Sequence, residues 1–243
     1  MKTFIVLMFI GMATAWVKEM ENSALYQGDI LLDPDEDERG LNATNKNTFA
    51  SIRGGRWPGA RVPFILHRSL SQAGVNAIYA AINDFHKYTC LRFQKRTNEP
   101  SYILFFKGDG CFSPVGYRYG RQNDVSIGYG CESKGTAIHE IGHSIGLHHE
   151  QNRPDRDNFI SINWNNIERS MQYNFNKQPA HNIDSKGTGY DYYSIMHYDK
   201  GAFAMRYGQI TMVTRDPNMQ NVIGRGNGFS KTDVIQINRM YCK

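Results

Sequence analysis

The apolar positions between residues 70 and 88 repeat with the period of an α-helix. Five apolar side chains are spaced so that they share one helical face: Val75, Ile78, Tyr79, Ile82 and Phe85. Ser69 or Ser71 stands where a helix N-cap is expected. The pattern predicts a long helix over residues 70–88 whose apolar face packs against a core.

Short apolar runs predict β-strands on both sides of this helix. The runs lie at residues 61–66, 91–94, 101–107 and 124–128. Strands that alternate with helices favour one twisted sheet, which we expect to be mostly parallel and backed by the helices.

The composition changes after residue 146. Asn, Gly and Tyr become frequent, which predicts loops with few regular elements at residues 163–166, 174–178 and 187–193. Ser230 and Asp233 have the spacing of a capping box and predict a last helix up to about Tyr241. The predicted fold class is α+β, with a sheet and two long helices in an upper half and an irregular lower half that ends in a C-terminal helix.

The first fifteen residues have the pattern of a secretory signal peptide. Lys2 precedes an apolar run at residues 4–10, and Ala13-Thr14-Ala15 offers the small residues of a cleavage site. This run is too short to span a bilayer, and no other stretch approaches about 20 apolar residues. We therefore expect a secreted, extracellular protein that does not span a membrane.

Four cysteines fit an exported protein: Cys90, Cys111, Cys131 and Cys242. An even number in such a chain predicts disulfides rather than metal ligands or free thiols. None of the four has the close spacing of a zinc knuckle, and the spacing alone leaves all three possible pairings open.

Charge divides the chain into an acidic leader and a basic body. Residues 16–46 hold eight acidic and three basic residues, a net charge of −5, and residues 47–243 hold 15 acidic and 24 basic residues, a net charge of +9. This difference favours a leader that docks on the body as an inhibitor, and the alternative is a solvated acidic stretch, especially at residues 33–38. No basic stripe interleaved with aromatic residues indicates a nucleic acid as partner.

Residues 139–150 carry the clearest chemical signal. His139 and His143 are four residues apart, so on a helix both can bind one ion. Gly146 can end that helix by adopting a positive φ, which lets His149 return as a third ligand. Three neutral imidazoles leave a position for water, as in a catalytic zinc site. Glu140 is offset from the ligand face and can act on that water as a base.

A second motif follows downstream, Ser194-Ile195-Met196-His197-Tyr198, with the pattern of a methionine turn. The first motif is spelled H-E-x-x-H-x-x-G-x-x-H, the long zinc motif of the metzincin peptidases. Together with Glu150 and residues 151–157, these motifs resemble the astacin family, and the resemblance extends from about Arg56 to Cys242.

The resemblance implies a zincin-like catalytic domain with one zinc ion and assigns roles to particular residues. Tyr198 is similar to a tyrosine that serves as fifth zinc ligand and then donates to the oxyanion, and Met196 packs beneath the metal. Glu150 is expected to meet the new α-ammonium group once the leader is cut; the alternative is a surface carboxylate beside Arg153. The resemblance also implies the disulfide pairs, Cys90 with Cys242 and Cys111 with Cys131.

The leader contains Leu25-Tyr26-Gln27-Gly28-Asp29, which resembles the Phe-x-Gly-Asp motif of astacin precursors with tyrosine in place of phenylalanine. The resemblance implies that Asp29 binds zinc where water must bind and so keeps the precursor inactive. Asn42 begins an N-glycosylation sequon, and the mature chain is expected to start near residues 46–50. The expected domains are a signal peptide, a pro-segment and an astacin-like catalytic domain at residues 1–15, 16–47 and 48–243.

The sequence therefore predicts a secreted zinc endopeptidase, made as a zymogen, that hydrolyses internal peptide bonds of proteins. The predicted partners are extended protein or peptide substrates and the chain's own pro-segment, and the default oligomeric state is a monomer. The resemblance implies that residues 124–128 form the sheet edge on which a substrate adds as a strand. Two alternatives stay open: another metzincin branch, disfavoured by Glu150 and Tyr198, and an inactive scaffold used for binding.

Overall fold

The computed structural model of the protein describes residues 18–32, 55–180 and 184–242. Three predicted features lie outside the described residues: the signal peptide at residues 1–15, the sequon at Asn42 and the mature start near residues 46–50. Within the described part of the chain, no helix is both long and apolar enough to cross a membrane.

Five strands form the main sheet. They are β1 (Arg61–Leu66), β2 (Arg92–Lys95), β3 (Tyr102–Phe106), β4 (Cys111–Phe112) and β5 (Gln122–Ile127). The order is β2-β1-β3-β5-β4, with every pair parallel except β4 with β5. Alternate residues of β3, Ile103 and Phe105, are fully buried, as expected when successive side chains point to opposite faces. The predicted α+β class with a mostly parallel sheet is confirmed.

The expectation that residues 124–128 form the sheet edge is wrong. The strand at this position, β5, lies inside the sheet because β4 pairs with it on the outer side, Cys111 with Ile127 and Phe112 with Ser126. A two-residue strand has no alternating pattern that a sequence could reveal. The edge strand is therefore β4, which the Cys111–Cys131 disulfide ties to the chain just before the second helix.

The first helix, α1, spans Gln72–Tyr88 and packs against the second helix and β2. Ser71 is the N-cap, because its hydroxyl accepts a hydrogen bond from Gly74 N at 3.0 Å. The buried face is Gly74, Ala77, Ile78, Ala81, Ile82 and Phe85. Tyr79, which the pattern assigned to this face, is 38% exposed. A pattern of large apolar residues overlooks the glycine and the two alanines, which are half of the buried residues on this face.

The last helix, α3, spans Lys231–Tyr241 and begins with the predicted capping box. Ser230 Oγ accepts from Asp233 N at 2.9 Å, and Asp233 Oδ2 accepts from Ser230 N at 2.9 Å. The helix ends at Cys242, which forms a disulfide with Cys90 beyond the end of α1. Both disulfides thus have the pairing that the resemblance implies.

The lower half of the molecule is largely irregular, as predicted. It consists mostly of turns and loops, with short 3₁₀ segments between residues 150 and 175 and at Pro217–Met219. One small antiparallel pair was not predicted, β6 (Ile160–Ile162) with β7 (Met212–Thr214). The second helix, α2, spans Lys134–Ser144 and lies between the two halves with nearly every residue buried.

Candidate metal centre

The helix α2 presents two of the predicted ligands on one face. Ser133 caps its start, since Ser133 Oγ accepts a hydrogen bond from Thr136 N at 3.0 Å. His139 and His143 lie further along the helix, about one turn apart from each other, with ring centroids 4.8 Å apart. Both side chains are fully buried, so the helix points its ligand face into the molecule.

The turn after α2 returns the chain to this face. Gly146 has a φ of 108°, its N–H donates to His143 O at 2.7 Å, and Leu147 N donates to Gly142 O at 2.9 Å. These two bonds form the Schellman arrangement that glycine permits at a helix end. His149 lies just past the turn, buried and facing both helix histidines.

Three imidazoles and one carboxylate direct their donor atoms toward one position. His149 Nε2 lies 3.2 Å from the Nε2 atoms of both His139 and His143. Asp29 Oδ2 lies 3.1 Å from His139 Nε2 and 3.2 Å from His149 Nε2, and Asp29 Oδ1 lies 3.6 Å from His143 Nε2. A tetrahedral zinc ion with ligands at about 2.0–2.1 Å separates its donors by about 3.3 Å. The four donors therefore fit one such ion.

The opposite side of each ring is fixed by an oxygen atom of the protein. The contacts are His139 Nδ1 to Ile195 O at 2.8 Å, His143 Nδ1 to Leu147 O at 2.8 Å, and His149 Nδ1 to Gln27 Oε1 at 3.1 Å. Because these oxygens accept, each Nδ1 carries the proton and each Nε2 keeps its lone pair for a metal.

The pKa shifts of the clustered side chains are those expected at a site for a cation. Burial lowers the pKa of His139 and lowers that of His149 to about 3, so both rings are neutral, as ligands must be. Burial works against ionisation of Asp29, but the surrounding His149, His143 and His139 hold its pKa well below the usual value. The cluster thus combines the carboxylate of Asp29 with the neutral imidazoles of His139 and His149.

Glu140 lies beside the cluster with both carboxylate oxygens buried and without a hydrogen-bond partner in the described part of the chain. Burial and the nearby Asp29 raise its pKa well above the usual value. Met196 packs below α2: its Sδ lies only 2.8 Å from where a Cβ atom at Gly142 would be, so a larger residue there would have to displace the methionine side chain. The catalytic role of Glu140 stays a prediction.

Tyr198 lies against the cluster, with its ring centroid 4.7 Å from that of His149. Its hydroxyl donates to Gln27 O at 2.8 Å, and its main-chain N–H donates to Gln151 Oε1 at 3.0 Å. Its predicted role as a metal ligand stays a prediction, since the structure shows the hydroxyl bonded to the leader.

Glu150 is not a surface carboxylate, because it is only 6% exposed. Glu150 Oε1 accepts from Arg153 Nη1 at 3.1 Å and from Asp191 N at 2.7 Å. Burial raises the pKa of Glu150 to about 8, although the charge of Arg153 opposes this shift. The predicted partner of Glu150, the mature α-ammonium group, lies outside the described residues.

The leader reaches the metal centre along the edge of the sheet. Ser113, next to β4, donates its N–H to Asp29 O at 2.9 Å and accepts from Leu31 N at 3.0 Å. Gly28 has a φ of 79°, and a Cβ atom there would lie 2.4 Å from Met20 O and 2.7 Å from the Phe203 ring. Glycine is thus required for the turn that inserts Asp29.

Sequence reasoning missed the contacts that three glutamines make around this centre. Gln27 touches both His149 and Tyr198, Gln151 holds the main chain of Tyr198, and Gln178 holds the ring hydroxyl of Tyr26. Gln27 and Gln151 each lie inside a motif that carries the resemblance, but neither motif indicates what the side chain contacts. Gln151 and Gln178 lie 47 and 152 residues from the groups they contact.

The histidine turn and the methionine beneath it define a metal site of the metzincin class. The comparison with known families is consistent with this class: the model of the astacins (peptidase family M12A) matches residues 50–242. The chain belongs to the astacin family, whose metal is zinc.

Two curated proteins of similar sequence are named as proteases. Blastula protease 10 of Paracentrotus lividus is 36% identical over 230 residues, which cover 89% of this chain and 38% of that protein. Zinc metalloproteinase nas-6 of Caenorhabditis elegans is 37% identical over 232 residues, 93% of this chain and 65% of that protein. The chain thus spans less than two thirds of the length of these curated relatives.

Among solved structures, the chain is similar to high choriolytic enzyme 1, a hatching enzyme zinc-protease from Oryzias latipes. The TM-score is 0.70 and the identity 38%, over 77% of this chain and 94% of that chain. The solved chain is matched almost completely.

Proposed function

We propose that this chain is the precursor of a secreted zinc-dependent endopeptidase and that Asp29 keeps the precursor inactive. One observation carries the proposal: the Asp29 carboxylate lies among His139, His143 and His149, within 3.6 Å of each Nε2 atom. A carboxylate in that position takes the place that a nucleophilic water needs.

The proposed reaction is hydrolysis of a peptide bond without a covalent enzyme intermediate. Bound zinc supplies a Lewis acid and brings the pKa of water toward about 7. The buried Glu140 accepts the proton of the attacking water and passes it to the leaving amine. Tyr198 donates a hydrogen bond to the oxyanion that forms on the substrate carbonyl.

The same structure supports a proposal for how substrates bind. The leader hydrogen-bonds to Ser113 at the outer edge of the sheet, next to β4. An extended peptide can occupy that edge by strand addition once the pro-segment has left. The substrates we propose are therefore protein segments that can become extended, and the pro-segment is the inhibitor that competes for the same edge.

Secretion is supported by two features of the chain. The first fifteen residues have the signal-peptide pattern, and the four cysteines form two disulfides, Cys90–Cys242 and Cys111–Cys131. Such bonds persist in oxidising compartments. We propose an extracellular monomer that is activated by cleavage between its pro-segment and its catalytic domain.

The test is to express the precursor, trim it with trypsin and measure casein cleavage with and without 1,10-phenanthroline. The Glu140→Ala variant, treated in the same way, is the matched control. We expect activity that appears after trimming, disappears with the chelator and is absent in the variant. A trimmed protein that binds zinc but cleaves neither casein nor gelatin would contradict the endopeptidase proposal.

A further inference from the structure

A hydrogen-bonded series of side chains joins the lower half of the molecule to a metal ligand through the leader. Gln178 Nε2 donates to the Tyr26 hydroxyl oxygen at 3.0 Å, and Gln27 Nε2 donates to the same oxygen at 3.2 Å. The other end of the Gln27 amide, Oε1, accepts from His149 Nδ1 at 3.1 Å. The Gln27 amide therefore bridges a tyrosine hydroxyl and an imidazole.

The position of this amide is set by the structure around it. Gln27 is fully buried and has a φ of 49°, a conformation that only a small fraction of residues other than glycine adopt. Its main-chain oxygen is fixed by the Tyr198 hydroxyl at 2.8 Å, and Gly28 follows with a φ of 79°. With the backbone held in this way, the Gln27 side chain extends to His149 and makes the 3.1 Å contact with Nδ1.

The Tyr26 hydroxyl supports the amide orientation in which the oxygen faces the imidazole. It accepts from the NH₂ group of Gln27, and the amide oxygen is then left to accept from the N–H of His149. Tyr26 is itself buried, at 8% exposure, with Gln178 on its hydroxyl. A phenylalanine at position 26 would fill the same space but could not orient the amide.

We propose that Gln27 is a positioning residue for His149, so that the pro-segment supplies the metal centre with an outer hydrogen-bond acceptor as well as the Asp29 carboxylate. An acceptor on Nδ1 fixes the orientation and tautomer of a ligating imidazole, and loss of such a partner costs 10–100-fold in metal affinity. The proposal rests on the zinc site and on the Asp29 switch. With this acceptor in place, the precursor should bind zinc more tightly than the same four ligands would without it.

The test measures zinc release from the intact, untrimmed precursor to the chromophoric chelator 4-(2-pyridylazo)resorcinol. Gln27→Leu removes the acceptor while keeping the size of the side chain, and we expect release about 10–100-fold faster. Gln27→Glu keeps an acceptor oxygen for His149 and should release zinc at close to the original rate. Tyr26→Phe should change the rate in the same direction as Gln27→Leu, but less.

Two further variants separate this proposal from its alternatives. Tyr173→Phe removes the hydroxyl that donates to Ser23 O and Leu25 O, which loosens the leader without touching the Gln27 amide. Equal acceleration by Tyr173→Phe and Gln27→Leu would overturn the proposal, because general loosening would then explain the effect. The same holds if Gln27→Glu releases zinc as fast as Gln27→Leu.

Asp29→Ala tests the role of Asp29 as a zinc ligand separately from the role of the Gln27 hydrogen bond to His149. Faster release with Asp29→Ala but not with Gln27→Leu or Tyr26→Phe would overturn the role of Gln27 and leave the switch in place. The reverse result would support Gln27 and count against Asp29 as a ligand. Thermal unfolding of each metal-free precursor, followed by circular dichroism, verifies folding, and Tyr26→Phe, which removes one oxygen atom, decides the outcome should Gln27→Leu not fold.

Discussion

The Tyr198 hydroxyl donates a hydrogen bond to the main-chain oxygen of Gln27 at 2.8 Å. This contact ties the methionine turn to the same stretch of leader that inserts Asp29 among the histidines. The group that we propose as oxyanion donor is thus already bonded to the leader. If the leader is removed on activation, as we propose, the Tyr198 hydroxyl and the position covered by Asp29 become free in a single event.

Tyr198→Phe tests the hydroxyl in the mature enzyme. We expect kcat to fall by about 10²–10³-fold with little change in KM, because a donor aimed at the oxyanion acts only in the transition state. The measurement is steady-state cleavage of a fluorogenic peptide after trimming. A rise in KM with an unchanged kcat would assign the hydroxyl to substrate binding instead.

Asp29→Ala tests the switch. With the carboxylate removed, the untrimmed precursor should cleave peptide substrates measurably above the level of the original precursor, and 1,10-phenanthroline should abolish this activity. The matched control is Asp33→Ala, which removes an acidic residue from the same leader and keeps the Gly28-Asp29 pair intact. Gel analysis confirms that the leader stays attached during the assay. An Asp29→Ala precursor as silent as the original would count against the switch.

Glu140→Gln separates the proposed base from the ligands. The amide has the shape of the carboxylate but cannot accept the proton, so kcat should fall by about 10²–10⁴-fold. Zinc content should stay at one ion per chain, because the four donors of the cluster do not include Glu140. Loss of zinc together with activity would show that Glu140 supports the metal rather than the proton transfer.

The sequence predicts the local parts of this site well because their chemistry depends on short spacings. Histidines four residues apart, a glycine that ends the helix, and the pair Ser230 and Asp233 each act within one or two helical turns. The structure shows all of these features where the sequence indicates them.

The parts that were missed depend on contacts between distant segments. The edge strand β4 has two residues and exists because Cys111 and Phe112 pair with β5. Gln178 meets Tyr26 across 152 residues of chain. Neither a hydrophobic period nor a capping signal records such contacts. The resemblance therefore places the sheet edge at the wrong strand, and nothing in the sequence indicates the hydrogen-bonded side chains behind His149.

Asp233→Asn tests a buried carboxyl group that supports the methionine turn. Asp233 is 2% exposed and accepts hydrogen bonds from Ser194 Oγ at 2.7 Å and Ile195 N at 3.0 Å. Burial raises its pKa to about 6, against an ordinary value of 3.8, although these hydrogen bonds oppose the shift. The folded protein therefore binds this proton more tightly than the unfolded chain does. The stability that the protonated group contributes is present below about pH 4 and is lost as the pH rises through about 6.

Asparagine has the same shape and does not titrate, so the comparison isolates this group from every other carboxyl. As the pH rises from 4 to 6, the free energy of unfolding of the original protein should fall relative to that of Asp233→Asn, by about 3 kcal/mol at most. The measurement is urea denaturation of both precursors with disulfides intact and with EDTA present, so that metal loss does not contribute. A difference that stays constant over this range would show that the hydrogen bonds from Ser194 and Ile195 cancel the effect of burial, and one that grows in favour of the original protein would show that they outweigh it.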